Sequence, residues 1–206
     1  MKKLGLLALA VMTLAACTEK PVEKKVTAPT KKGPEAPFRF HRAVEVKPGL
    51  TYDILSWGRG NDSVGAYLIL RSDSTHSRYR CITGELEGKL TDAWDMDMDS
   101  DGNPELVMQL KKGSKNDLMV FEFAASGLYN EITFPGVSGS SKKGYEGHDS
   151  LFVKDGIIIR EFPLFQKENE ISKPTGERRT LEYKLRNNRF SVTEQQPEKK
   201  EAPKSK

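Results

Sequence analysis

The sequence predicts an all-β domain, an antiparallel β-sandwich or flattened barrel, carried between disordered N- and C-terminal tails. Three observations point there. Short runs of alternating, β-branched or aromatic residues recur from Phe38 to Thr193, and no amphipathic helical pattern interrupts them. Turn chemistry separates the runs, at Arg59-Gly60-Asn61, Gly102-Asn103-Pro104, Ser126-Gly127, Lys154-Asp155-Gly156 and Asn187-Asn188. The stretch between the tails, residues 38–196, is one domain's length and can bury roughly 68–70% of the surface its unfolded chain exposes.

Residues 1–16 read as a lipoprotein signal peptide. Lys2 and Lys3 precede a short apolar run, Leu4 to Ala16, too short to span a bilayer as a permanent anchor. Its end, Leu14-Ala15-Ala16-Cys17, resembles the lipobox cut by bacterial lipoprotein signal peptidase. The resemblance implies cleavage before Cys17 and diacylglyceryl on its thiol, which makes the membrane a partner through lipidated Cys17. Several acyl chains anchor stably where one alone is marginal. Thr18, where retained lipoproteins carry Asp, implies the outer membrane, facing the periplasm.

Residues 17–37 are expected to form a disordered tether, because a Lys- and Pro-rich stretch without aromatics cannot bury enough surface to fold. Its reach is roughly 25 Å as a coil and about 60 Å as extended polyproline. The Lys-rich residues 197–206 have the same character. The tails carry net charges of +4 and +2, so the +4 of the whole chain leaves the body at −2. The basic balance therefore belongs to the tails and is no sign of a nucleic-acid groove; no nucleic-acid partner is expected. Cys17 is committed to lipid, which leaves Cys81 unpaired within the chain. Its place in the alternating run Tyr79-Arg80-Cys81-Ile82 predicts a small buried apolar residue, and the domain must stand on its core.

Within the body, extended runs are expected at 38–46, 51–57, 64–71, 78–83, 90–95, 106–110, 118–124, 128–134, 150–153, 157–162, 179–186 and 189–193. Between the fifth and sixth lies Asp95-Met96-Asp97-Met98-Asp99-Ser100-Asp101-Gly102-Asn103-Pro104-Glu105-Leu106. Counting from Asp97, acids stand at positions one, three, five and nine with Gly102 at six. Oxygen ligands converging from a tight loop are what a hard cation such as calcium needs. Position twelve is Met108, where an EF-hand places a bidentate Glu, so the loop is no EF-hand. The pattern occurs once, which excludes a repeat propeller. Asp97, Asp99, Asp101 and Glu105 are thus a candidate set for structural calcium, and no cofactor is otherwise required.

Four ordered segments carry a resemblance. The acidic turn Asp97 to Leu106 is followed by Lys143-Gly-Tyr-Glu-Gly-His-Asp-Ser-Leu-Phe-Val153, then Ile159-Arg-Glu-Phe-Pro-Leu-Phe165, then Lys173-Pro-Thr-Gly-Glu-Arg-Arg-Thr-Leu-Glu-Tyr-Lys-Leu185. Over residues 84–185 this order resembles the periplasmic inhibitor of i-type lysozyme family, whose β-sandwich agrees with the strand pattern. The resemblance implies a protein that binds a lysozyme and blocks its paired carboxylates with an inserted loop. In the family that loop carries Ser-Gly-x-Tyr. The corresponding stretch here, Lys111 to Asp117, places Lys112-Gly113-Ser114-Lys115 there, so only the glycine is retained. A second loop, Ser138 to Tyr145, offers Ser-Gly and Tyr at another spacing. Lys112, Gly113, Ser114, Lys115, Ser140 and Tyr145 are therefore the candidate partner-binding residues, with a lysozyme as partner and a homodimer as a further candidate assembly.

An enzyme is not expected. His148-Asp149-Ser150 are adjacent, and neighbours on a strand point to opposite faces and cannot form a relay. His41, His76 and Cys81 lack zinc-ligand spacing, and no phosphate-binding loop or dinucleotide fingerprint occurs. Two readings follow. One is an outer-membrane lipoprotein inhibiting a lysozyme by loop insertion. The other is a non-inhibitory envelope-binding or structural lipoprotein of the same fold, stabilised by calcium.

Overall fold

Period-two burial runs through the first strands. In β2 (Leu50–Trp57) Leu50, Tyr52, Ile54 and Ser56 are buried while the residues between them are half-exposed. One face of this strand therefore packs on a core and the other meets solvent. The computed structural model describes residues 38–58 and 64–195. Cys17, the tether, the 197–206 tail and the expected turn Arg59-Gly60-Asn61 lie outside the described residues.

The described chain is all-β. Twelve strands form three antiparallel sheets of four, each a simple up-and-down meander. The first sheet holds β1 (Phe38–Lys47), β2, β3 (Val64–Asp73) and β4 (Arg78–Glu87). The second holds β5 (Lys89–Met96), β6 (Glu105–Lys112), β7 (Lys115–Phe123) and β8 (Tyr129–Ile132). The third holds β9 (Ser150–Lys154), β10 (Ile157–Glu168), β11 (Ile171–Arg186) and β12 (Arg189–Gln195). Every expected run contains a strand. The turns at Asp155-Gly156 and Asn187-Asn188 carry the positive φ values that tight hairpins need.

The second sheet is covered on both faces. Leu106, Met108 and Leu110 of β6 join Phe121 and Phe123 of β7 in a core with Tyr52, Ile54, Tyr67 and Ile69 of the first sheet. Val107, Leu118 and Val120 face the other way, into a core with Phe134, Ile158, Phe162, Leu181 and Tyr183. That is why Leu106-Val107-Met108 reads as an unbroken apolar run: each neighbour has its own core. A fully buried Leu, Phe or Met contributes about 1.5–3 kcal/mol relative to exposure.

Two expectations change. Cys81 is exposed, because the alternation on β4 buries its neighbour Ile82 and turns Cys81 outward. The strands also outrun their apolar cores. β6 and β7 continue through Lys111↔Asn116 to Lys112↔Lys115, and β10 and β11 extend as a long hairpin to Glu168↔Ile171. Polar residues continue a ladder at no cost when their side chains meet water, and the turn Asn169-Glu170, both residues at positive φ, closes the longer one.

Between β4 and β5 stands a single residue, Gly88, at φ +109°, where the chain passes from the first sheet to the second. A Cβ there would lie 2.7 Å from the Lys111 carbonyl oxygen. Gly88→Ala is therefore expected to cost about 1–3 kcal/mol, combining backbone strain with that clash. Chemical denaturation measures it, and a loss under about 0.5 kcal/mol would show the corner to be yielding.

Candidate functional site

The tip of the β6–β7 hairpin is a two-residue turn, Gly113-Ser114, with Gly113 at φ +61°. The loop expected over Lys111 to Asp117 is thus a tight turn flanked by paired lysines. It does not stand alone. The Ser114 hydroxyl donates to the Glu146 carbonyl at 2.9 Å, and the Ser114 carbonyl accepts the His148 N–H at 2.5 Å. Gly147, at φ +91°, lets the two backbones approach, since a Cβ would sit 2.4 Å from Ser114 Oγ. The 145–149 segment is clamped onto the turn.

Asp149 anchors this contact from below. Its carboxylate accepts the Asn116 N–H at 2.9 Å and the Tyr145 hydroxyl at 3.2 Å. Arg160 Nε stands 3.2 Å away, an ion pair in which both side chains are almost wholly buried. Arg160 Nη2 also donates to the Asn116 carbonyl at 3.0 Å. Its guanidinium lies against the packed pair of Phe134 and Tyr183 rings, 5.2 and 5.4 Å from their centroids. Burial first, and the Asp149 carboxylate second, push the Tyr145 hydroxyl up to about 12, which keeps it a donor at neutral pH.

Above this base opens a groove of about 250 Å³ whose walls include Lys112, Lys115, Lys142, Tyr145 and Arg160. Lys115 Nζ sits over the Tyr145 ring at 5.8 Å, and Lys112 Nζ pairs with Asp117 at 3.1 Å. The single 3-10 turn among the described residues, Gly139–Lys142, places Lys142 on the rim. Arg179 holds that turn through the carbonyls of Ser141 at 2.8 Å and Lys143 at 3.1 Å. Three exposed lysines against one aspartate, around an aromatic ring, make an anion-receiving surface.

Of the expected partner-binding residues, Lys112, Lys115 and Tyr145 converge on this groove. Gly113 and Ser114 form the turn beside it, with the Ser114 side chain spent on the Glu146 carbonyl. Ser140 stands exposed on the 3-10 turn, its carbonyl accepting from Lys143 N–H. Arg160, Asn116 and Lys142 were not expected. A signal for Arg160 was present: it is a charged residue inside the apolar run Ile157 to Phe162, at a position the alternation turns inward. His148 and Asp149 do not form a relay, although the reason is more specific than strand alternation. His148 is in the left-handed region at φ +58° and Asp149 precedes β9, so one is exposed and the other buried.

The acidic stretch sits at the opposite end of β6. Asp97 accepts the N–H groups of Asp101 and Gly102, each at 3.1 Å, and so shapes the turn. One oxygen from each of Asp97, Asp99 and Asp101 lies within 4.8 Å of the others. Glu105 is wholly buried, with Oε2 accepting the Met98 N–H at 2.8 Å. Burial chiefly, with the Asp99 and Asp97 carboxylates adding, raises the Glu105 carboxyl to about 7.

Compared with models of known families, with curated proteins and with solved structures, the chain matches none.

Proposed function

We propose that this protein is an outer-membrane-anchored periplasmic lipoprotein that binds and inhibits a lysozyme, offering the β6–β7 tip and its neighbouring loop to the enzyme's cleft. The observation that carries this reading is the convergence of Lys112, Lys115, Lys142 and Tyr145 on one groove over a buried Asp149–Arg160 base. A glycoside hydrolase holds two carboxylates across its cleft, and a lysine-bearing tip complements them. Ser-Gly-x-Tyr inhibition relies on a rigid aromatic loop. Here the clamp between Ser114 and the Glu146–His148 backbone supplies rigidity instead, which limits the entropy lost on insertion.

Inhibition is tested with the full chain carrying Cys17→Ser, to keep it unlipidated, in a lytic assay against i-, c- and g-type lysozymes. One of the three is expected to be inhibited at micromolar protein. Reversing two charges in Lys112→Glu/Lys115→Glu is expected to raise the inhibition constant at least tenfold, on the scale of about 2–5 kcal/mol for a desolvated charge pair. No inhibition of any of the three sinks the reading. The lysines at the serine and tyrosine positions favour a second one, a non-inhibitory lipoprotein that binds anionic envelope polymer. Co-sedimentation with peptidoglycan that survives deletion of both Lys-rich tails supports it, and loss on deletion shows charge attraction alone.

A further inference from the structure

β6 and β7 set Glu105 directly opposite Glu122, and both side chains lie on the face of the second sheet that carries Val107 and Val120. Like charges opposed across a ladder destabilise it. Glu105 nevertheless has no measurable exposure, and its Oε1 is buried without a hydrogen-bond partner. Asp99 Oδ1, in the turn above, is likewise buried and partnerless. The side chains of Asp101 and Glu122 are also close enough to interact. Five carboxyl groups therefore stand at this corner: Asp97, Asp99 and Asp101, with oxygens within 4.8 Å of one another, and Glu105 and Glu122, opposed on the ladder beside them. Among the described residues no lysine or arginine forms an ion pair with any of them. The neutral partners are the Asn188 amide, which donates to Glu122 Oε2 at 2.5 Å, the Asn103 amide, which donates to Asp101 Oδ2 at 3.3 Å, and backbone N–H groups. Buried anions without a cation are costly, and a buried carboxylate oxygen with no hydrogen-bond donor calls for a physical explanation.

We infer that this corner binds one calcium ion, with Asp97, Asp99 and Asp101 supplying the loop ligands and the buried Glu105, backed by Glu122, closing the site from the sheet. The donors are all oxygen, with neither His nor Cys, which selects a hard cation. Ligands about 2.4 Å from one calcium ion lie no more than roughly 4.8 Å apart. The oxygens of the three aspartates already meet that limit. Several carboxylates on one turn suit calcium's high and irregular coordination, whereas magnesium holds a strict octahedron and keeps most of its water. The ion would join the β5–β6 turn to the register pair Glu105↔Glu122, at the end of β6 remote from the lysine groove. It is therefore a brace of the second sheet, and its loss leaves the groove's own contacts in place.

The test uses the full chain with Cys17→Ser, stripped of metal with EDTA and dialysed. Calorimetric titration with calcium chloride is expected to give one ion per chain, with a dissociation constant on the order of 10⁻⁵ to 10⁻³ M. At a hundredfold excess over that constant the melting temperature should rise by about 5–10 °C. Asp99→Asn and Glu105→Gln should each weaken binding at least tenfold. Because Glu105→Gln removes one of two opposed charges, it should also melt above the parent in EDTA, which shows that it folds. No binding and no shift up to about 10 mM calcium, roughly ten times the weakest constant expected, overturns the inference. So does an equal shift with magnesium, or a shift undiminished in Glu105→Gln. Lysozyme inhibition unchanged by these two substitutions is the expected control, so this proposal and the inhibitor reading fail separately.

Discussion

Asp149→Ala is expected to lose about 3–5 kcal/mol of stability, because it leaves the Arg160 guanidinium buried with no counter-charge. Arg160 is 2% exposed and cannot turn to water without opening the core between the second and third sheets. The substitution also strips the Asn116 N–H and the Tyr145 hydroxyl of their acceptor. Those two groups define the floor of the lysine groove, so partner binding should fall together with stability. Arg160→Met in the same chain is expected to recover much of the loss, since an apolar side chain against the Phe134 and Tyr183 rings needs no counter-charge. Urea denaturation of the two single variants and the double variant closes the cycle. Additive losses would show that the pair does not act as a unit, and that the groove is held by its backbone contacts alone.

Val107→Asp and Met108→Asp should each abolish cooperative melting. In a two-sheet sandwich one side of every strand faces water, so one of two consecutive residues tolerates a charge. Here Val107 and Met108 are both without exposure, Val107 toward the third sheet and Met108 toward the first. Burying an unpaired carboxyl at either place costs several kcal/mol, a large share of the roughly 5–15 kcal/mol that holds a domain folded. Val192→Asp on β12, where the native side chain is 43% exposed, is the control and should stay within about 0.5 kcal/mol of the parent. Far-ultraviolet circular dichroism on heating reads all three. A cooperative transition in either Val107→Asp or Met108→Asp would mean that one face of the second sheet is open.

Sequence alone determined what is local. Alternation placed the strands, because the side-chain period of an extended chain is two wherever one face is buried. Asp155-Gly156 and Asn187-Asn188 marked their turns, because few residues accept the positive φ of a tight hairpin. The candidate residues Lys112, Lys115 and Tyr145 were named from the sequence too, the first two in the stretch that the resemblance aligns with a Ser-Gly-x-Tyr loop and the third in the loop Ser138 to Tyr145. Tertiary structure decided what joins residues far apart in the chain. Ser114 meets Glu146 and Gly147, Asp149 meets Arg160, and Glu105 faces Glu122. None of these contacts leaves a periodic trace, because each depends on which sheets stack and in what register. The covering of the second sheet on both faces is of the same kind. Leu106-Val107-Met108 announces burial, but only the packed sheets show that two separate cores divide those residues between them.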